Sequence, residues 1–268
     1  MNETVKQTPL IIVRQLTVGY ADEPVLENLS FEVHTGEVLA ILGSSGCGKS
    51  TLMRAMIGLL APSHGTVTIE GEQVVPVHEG GSIGVLRKLG VLFQGGALFS
   101  SMTVAENVAV PLRLHTKFPD STIERLVLRK LSSVGLEGFE AHLPSEISGG
   151  MRKRAALARA MALDPKVLFF DEPSAGLDPI TSAQLDRLIL DLNRTLGTTV
   201  IIVTHEIDSV LAVASRVIML DPRSRNIIAQ GSPRELMEHS SDSRVTDFFG
   251  RRAGLTSRES RRGERSHD

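Results

Sequence analysis

Between the apolar run Val38–Leu42 and a helical pattern that opens at Ser50 and Thr51 lies a glycine-rich turn, Gly43-Ser44-Ser45-Gly46-Cys47-Gly48-Lys49-Ser50. A strand, such a turn and a helix in this order form a backbone nest. Its N–H groups point inward at an anion, and the helix start adds a favourable dipole. In a loop of this pattern the lysine reaches the β and γ phosphates of a nucleotide and the following serine ligates Mg2+, which here assigns Lys49 and Ser50. A glycine turn that merely precedes a helix is the plainer alternative, and the strand and helix on either side argue against it. The unit also limits the architecture. It belongs in a doubly wound sheet whose ligands sit at the carboxyl ends of parallel strands.

The rest of the chain has the matching rhythm. Val38–Leu42, Val167–Phe170 and Thr199–Val203 are apolar on both faces and are expected as central parallel strands. Residues 11–33 alternate, as at Phe31-Glu32-Val33, and are expected as antiparallel edge strands half exposed to solvent; residues 66–75 around Glu70-Gly71-Glu72 read as a hairpin of the same layer. From Gln94 to Gly150 the strand signal stops. Thr103 and Glu106 have capping-box spacing, Asp120 or Ser121 is expected to cap a second helix, and Ile123, Leu126, Val127, Leu131 and Val134 keep helical spacing. Helices are expected at 151–161 and 180–196, the latter stopped by Gly197, and a last capped helix at Ser232-Pro233-Arg234-Glu235 with Pro233 at its first position.

Composition excludes several classes. With 41% hydrophobic and 22% charged residues the 268-residue chain has an ordinary folded composition. Its net charge of -2, one Tyr and no Trp argue against a nucleic-acid binder. No apolar stretch approaches the roughly 20 residues that span a bilayer. A single Cys and no signal-peptide pattern in residues 1–14 lead to the expectation of a cytoplasmic protein, peripheral if it works at a membrane. That Cys47 sits at a helix start beside Lys49, which is expected to favour the thiolate and to make its alkylation sensitive to nucleotide.

Two further groups carry chemistry. Asp171 and Glu172 end the apolar strand 167–170, so Asp171 is expected to hold Mg2+ and Glu172 to orient or deprotonate an attacking water. His205 leaves the third central strand at the same edge, where an imidazole contacts a γ-phosphate or steadies the base. The alternative for Asp171-Glu172, an acidic helix cap, loses force beside the phosphate loop.

The ordered set of phosphate loop, Gln94, Ile147-Ser148-Gly149-Gly150-Met151, Asp171-Glu172, Ser174-Ala175-Gly176-Leu177-Asp178 and His205 resembles the ATPase subunit of an ABC transporter, over residues 10–240. The resemblance implies an α/β P-loop NTPase core with a mostly parallel sheet, an N-terminal antiparallel β layer and a helical subdomain at about 95–160. The domain would span 8–249, with a basic tail at 250–268. It further implies a homodimer that sandwiches two ATP and Mg2+. Ser148, Gly149 and Gly150 of one copy would complete the other copy's site, and Asp178 would contact the opposite subunit. Tyr20 would stack on adenine, with a half-buried edge-strand aromatic as its plainer reading, and Gln94 would sense Mg2+ and water while linking to a membrane partner.

Residues 90–94, residues 96–107 and Met151, where the family usually has Gln, are similar to the ATPases of Mla/Mce-type lipid transporters. Gly95 and the 174–178 segment depart from many of those members. This likeness implies two copies of a permease and an Mce-domain lipid-binding protein as partners, and it leaves open whether a small regulatory subunit joins them. The rival readings are another ABC importer or exporter, which shares every phosphate-site motif, and a soluble ABC ATPase without a permease. The tail, with six Arg against three acids in 251–268, reads either as a solvated end or as a segment that orders on the second copy or on an anionic membrane surface.

Overall fold

The computed structural model describes residues 9–250 apart from residues 22 and 82. The expected domain start at residue 8 and the tail from 251 onward lie outside the described residues. The chain opens with β1 (Pro9–Tyr20) and β2 (Glu23–His34), passes through β3 (Val38–Gly43) into α1 (Lys49–Met56), then β4 (His64–Ile69) and β5 (Glu72–Gln73). There follow α2 (Ile83–Leu86), β6 (Leu89–Leu92), α3 (Val104–His115), α4 (Asp120–Ser133) and α5 (Gly149–Ala160). The last part runs β7 (Val167–Asp171), α6 (Pro179–Leu196), β8 (Thr199–Val203), α7 (Ile207–Val213), β9 (Arg216–Asp221), β10 (Asn226–Gly231) and α8 (Pro233–His239). Residues 243–250 are helical as well.

Six strands form the central sheet in the order β10-β9-β3-β8-β7-β6, parallel throughout except for β10 against β9. The three strands expected at the centre are there, because each is covered on both faces. Phe169 joins the apolar cluster on one side of the sheet and Phe170 the cluster on the other, both at zero exposure. By the alternation of strand side chains such a strand reads as an unbroken apolar run.

A second sheet, β2-β1-β4-β5, is antiparallel and packs its apolar face on α1 and the central sheet, through Leu16, Leu29, Met53, Met56 and Phe169 among others. One expectation fails here. β1 is an interior strand with β2 on one side and β4 on the other, and Ile11, Val13, Leu16 and Val18 are buried. Of the two, β2 alone lies at an edge of the sheet, while both keep a half-exposed face: Arg14 and Gln15 are exposed on β1, and on β2 Phe31 and Val33 are buried around an exposed Glu32. The expected hairpin is β4 and β5.

On the opposite face α3, α4, α5 and α6 enclose the second cluster. The capping box at Thr103 and Glu106 forms, with both reciprocal bonds in place. Asp120 and Ser121 do not cap α4: Pro119 holds the cap position, and Asp120 is already in the first turn. Ser232 and Glu235 cap α8, and Gly197 ends α6 in the left-handed conformation at φ 65°. The segment 243–250, for which there is no sequence expectation, is fastened by buried Val245 and Phe249 on Ala40, Leu42 and Met219 and by an Arg244–Asp221 ion pair at 3.1 Å.

Candidate functional site

At the carboxyl edge of β3, β7 and β8 lies a cleft of about 780 Å³, lined by the loop after β3, Thr51, Gln94, Glu172 and His205, with Tyr20, Val25, Ile207 and Phe248 as its less polar walls. The loop takes its course from its glycines. Gly43 has φ 150°, and a Cβ there would stand 2.4 Å from Cys47 Sγ and 2.6 Å from the carbonyl oxygen of Leu220; Gly48 has φ 101° and lies against Leu26. Neither position admits a side chain without displacing its neighbour. Ser44, Ser45 and Gly46 are exposed to the cleft.

Lys49 is buried, and its Nζ donates to the carbonyl oxygens of Gly43 at 2.9 Å and Ser44 at 3.2 Å. The ammonium is therefore folded back onto its own loop. Next to it the Ser50 hydroxyl donates to Asp171 Oδ1 at 3.0 Å, joining α1 to the end of β7. Burial raises the Asp171 carboxyl, the Ser50 bond lowers it and the neighbouring Glu172 raises it again.

Glu172 is held firmly. It adopts φ 48°, a left-handed conformation that a non-glycine residue keeps only where its surroundings fix it. Its N–H donates to the Val203 carbonyl at 2.8 Å, Thr204 Oγ1 donates to Oε2 at 3.2 Å, and His205 Nδ1 lies 2.9 Å from Oε1. The His205 side chain is otherwise largely exposed to the cleft. Thr204, by contrast, is buried. The sequence assigns Thr204 no role beyond standing directly before His205, after a fully buried strand, and the structure adds its hydrogen bond to Glu172.

Tyr20 is 48% exposed at the mouth of the cleft and its hydroxyl accepts from Arg54 at 2.8 Å. Gln94 is exposed to the same space. Cys47 departs from expectation. Its side chain is 1% exposed and does not line the cleft, its N–H donates to Ser44, and burial pushes the thiol up more than Lys49 pulls it down. Lys49 and the helix start favour the thiolate, but the packing under the loop keeps water from the sulfur, and that loss outweighs them.

Ser148, Gly149, Gly150 and Asp178 lie outside this cleft. Ser148 caps α5, accepting from the Met151 N–H at 3.2 Å, and is exposed. Met151 is partly buried against the second apolar cluster, which suits a thioether in a position where an amide would need a partner. Asp178 caps α6, accepting from the N–H groups of Ile180 and Thr181 and from the Thr181 hydroxyl, and these bonds hold its carboxyl below the usual range. Among the described residues no helix is long and apolar enough to cross a membrane, and no cluster of three His, Cys, Asp or Glu side chains could hold a metal ion.

Comparison with known proteins agrees with this geometry. The family model described as ABC transporter matches residues 26–175. The intermembrane phospholipid transport system ATP-binding protein MlaF of Haemophilus influenzae is 41% identical over 240 residues, 90% of each chain. A probable ribonucleotide transport ATP-binding protein, mkl, of Mycobacterium leprae is 42% identical over 245 residues, 91% of this chain and 70% of the relative. Among solved structures, cbiO1 of Clostridium perfringens, part of the ABC transporter complex cbiONQ, superposes with a TM-score of 0.78 at 32% identity, over 87% of this chain and 92% of that one. The ATP-binding cassette MJ0796, in a dimeric post-hydrolysis state bound to ADP and Pi, gives 0.74 at 29%, over 84% and 99%. The chain belongs to the ABC transporter family and is an ATPase of that family.

Proposed function

We propose that this chain is the ATP-hydrolysing subunit of a phospholipid transporter, working as a homodimer on the cytoplasmic face of a membrane, with two copies of a permease, an Mce-domain lipid-binding protein and a small regulatory subunit. The observation that carries the cargo is the 41% identity to MlaF across 90% of both lengths. The ATPase unit is residues 8–249, with its helical subdomain at 95–160; residues 250–268 form a basic tail.

The residues divide the work by position. Main-chain N–H groups of residues 43–51 receive the phosphates, and the Lys49 ammonium exchanges its two carbonyl partners for β and γ phosphate oxygens. Tyr20 meets the adenine at the mouth of the cleft. The Ser50 hydroxyl and Asp171 carboxylate, 3.0 Å apart, are an oxygen-only donor set that fits Mg2+, with Gln94 facing the same space. When bound, Mg2+ neutralises charge on the phosphate oxygens. Glu172 accepts a proton from the water that attacks the γ phosphorus; the bond to the β–γ bridging oxygen breaks, leaving ADP and phosphate. His205 and Thr204 hold the two carboxylate oxygens of Glu172, so the base meets the water in one orientation. Ser148, Gly149 and Gly150 serve the partner's nucleotide: they stand at the start of a twelve-residue helix outside the chain's own cleft. Asp178 stands at the contact with the opposite subunit, its carboxylate already fixed as a helix cap.

The likeness to mkl supports a second reading, in which the cargo is a ribonucleotide. Purification of the tagged chain from detergent-solubilised native membranes, with mass spectrometry of proteins and lipids, separates the two. A polytopic permease with an Mce-domain protein and phospholipid is the expected set. A permease with a receptor for a soluble substrate would move the chain to the second reading. In the same complex Glu172→Gln should retain ATP with hydrolysis reduced by about 10²- to 10⁴-fold; Lys49→Ala should lose nucleotide binding or turnover.

A further inference from the structure

We infer that Lys153 is a positioning residue for Glu172, carrying the position of the Gln94 loop and of α5 to the catalytic base. The inference rests on the reading of Glu172 as that base. Lys153 lies in the run Arg152-Lys153-Arg154 yet is 7% exposed, while Arg152 is exposed and Arg154 half-buried. A lysine ammonium is kept in such a place only where hydrogen bonds replace its water. Its Nζ donates to the carbonyl oxygen of Gln94 in a short contact and, at 3.4 Å, to the carbonyl oxygen of Glu172. Burial lowers its affinity for the proton, and the Glu172, Glu206 and Asp171 carboxylates restore part of it.

The Glu172 end of this bridge has little freedom. Its left-handed backbone is fixed by the N–H bond to Val203, by the Ala175 N–H, which donates to the Glu172 carbonyl at 3.1 Å, and by Lys153. The first two come from the sheet and from the turn after it. Lys153 comes from α5, which packs with α3, α4 and α6 in the second apolar cluster. The Gln94 end is also gripped by α5, since Arg159 donates to the carbonyl oxygens of Gly96 at 2.8 Å and Ala97 at 2.7 Å. The loop and α5 are thus tied to one another, and among the described residues the hydrogen bond from either of them to Glu172 is the one from Lys153. A displacement of α5, whose N-terminus carries Ser148, Gly149 and Gly150, pulls on the Glu172 carbonyl and turns its carboxylate relative to His205.

The test is a mutant cycle in the full-length protein. ATP hydrolysis of Lys153→Met is measured in the wild-type and the Glu172→Gln backgrounds, with thermal melting and binding of a fluorescent ATP analogue as controls. In the wild-type background kcat should fall about 10- to 100-fold, with KM and analogue affinity within about twofold. In the Glu172→Gln background the same substitution should change the residual rate by less than about twofold, because nothing remains for it to position. Lys153→Gln, which keeps a donor without the charge, should fall between wild type and Lys153→Met; it runs the same cycle if the methionine variant does not fold. Unchanged kcat, equal losses in both backgrounds, or nucleotide affinity lost in step with kcat would each overturn the inference. Wild-type turnover by Glu172→Gln alone would instead overturn the base assignment, and this inference with it.

Discussion

Thr204 offers a direct measure of how much the orientation of Glu172 matters. Its hydroxyl donates to Glu172 Oε2 at 3.2 Å and accepts from the Glu206 N–H at 3.1 Å, while the side chain is 1% exposed and does not line the cleft. Thr204→Val keeps the shape and deletes both bonds. A hydrogen bond to a carboxylate is worth about 1.5–3 kcal/mol. His205 remains on the other oxygen, so the loss should be felt as lost alignment of the base and not as its release. At about 1.4 kcal/mol per factor of ten, kcat should fall about 10- to 100-fold. KM for ATP should stay constant, since no nucleotide-facing group is touched. The unpaired Glu206 N–H adds a separate cost of about 1–2 kcal/mol in stability. Phosphate release measured over a range of ATP concentrations gives both constants, and Thr204→Ser, which keeps the hydroxyl, is the control. A valine variant with kcat within about twofold of wild type, or a serine variant that loses as much, would refute the reasoning.

Three other outcomes follow from the packing. Cys47, buried with its thiol raised, should react with a thiol reagent at neutral pH at least about tenfold more slowly in the native than in the unfolded chain, with or without ATP; rapid native labelling would show the sulfur to be accessible. Asp186 is buried, its carboxyl raised above 3.8 by burial despite the Ser209 hydroxyl that donates to it at 2.6 Å, with Glu206 pushing it further. The folded state therefore holds more protons there than the unfolded one, and stability falls as pH rises through the window that begins at 3.8. Asp186→Asn should flatten chemical-denaturation stability across that window, and an unchanged pH profile would contradict the assignment. Gly90→Ala would set a Cβ 2.3 Å from the Ala160 carbonyl oxygen and 2.7 Å from Leu168 Cδ2, forcing β6 away from α5. A cost of about 3 kcal/mol, or roughly 6–12 °C in Tm, is expected; an unchanged melting curve would mean that this contact is soft.

The parts of the fold that were legible are those where one local rule decides. β3, β7 and β8 are covered on both faces and so read as unbroken apolar runs, and Thr103 with Glu106 and Ser232 with Glu235 carry their capping partners three residues away. β6 was not legible, because four residues containing Gly90 give too little periodicity. The interior place of β1 was hidden for another reason. It depends on β4, which arrives through the α1 crossover, and nothing near Ile11 records that. The helical stretch 243–250 has the apolar spacing Val245, Phe248 and Phe249, masked by charged neighbours and by the arginines that follow.

The site divides in the same way, and the division has a physical origin. Residues whose chemistry is their backbone or their charge at a strand end, such as Gly43, Lys49, Asp171, Glu172 and His205, were legible, because glycine spacing and strand boundaries fix where they emerge. Cys47 was misread because the rule for helix starts says nothing about packing beneath the loop. Lys153 was missed because a lysine between two arginines defaults to a solvated face. Yet a signal was present: on α5 it precedes Ala156 by three residues and Leu157 by four, so it shares the helix face that those residues bury. A cation on an otherwise buried helix face must find oxygen inside the protein. In this fold the oxygen within reach belongs to Gln94 and Glu172, so the same burial that hides Lys153 from a sequence reading ties it to Glu172, the proposed base.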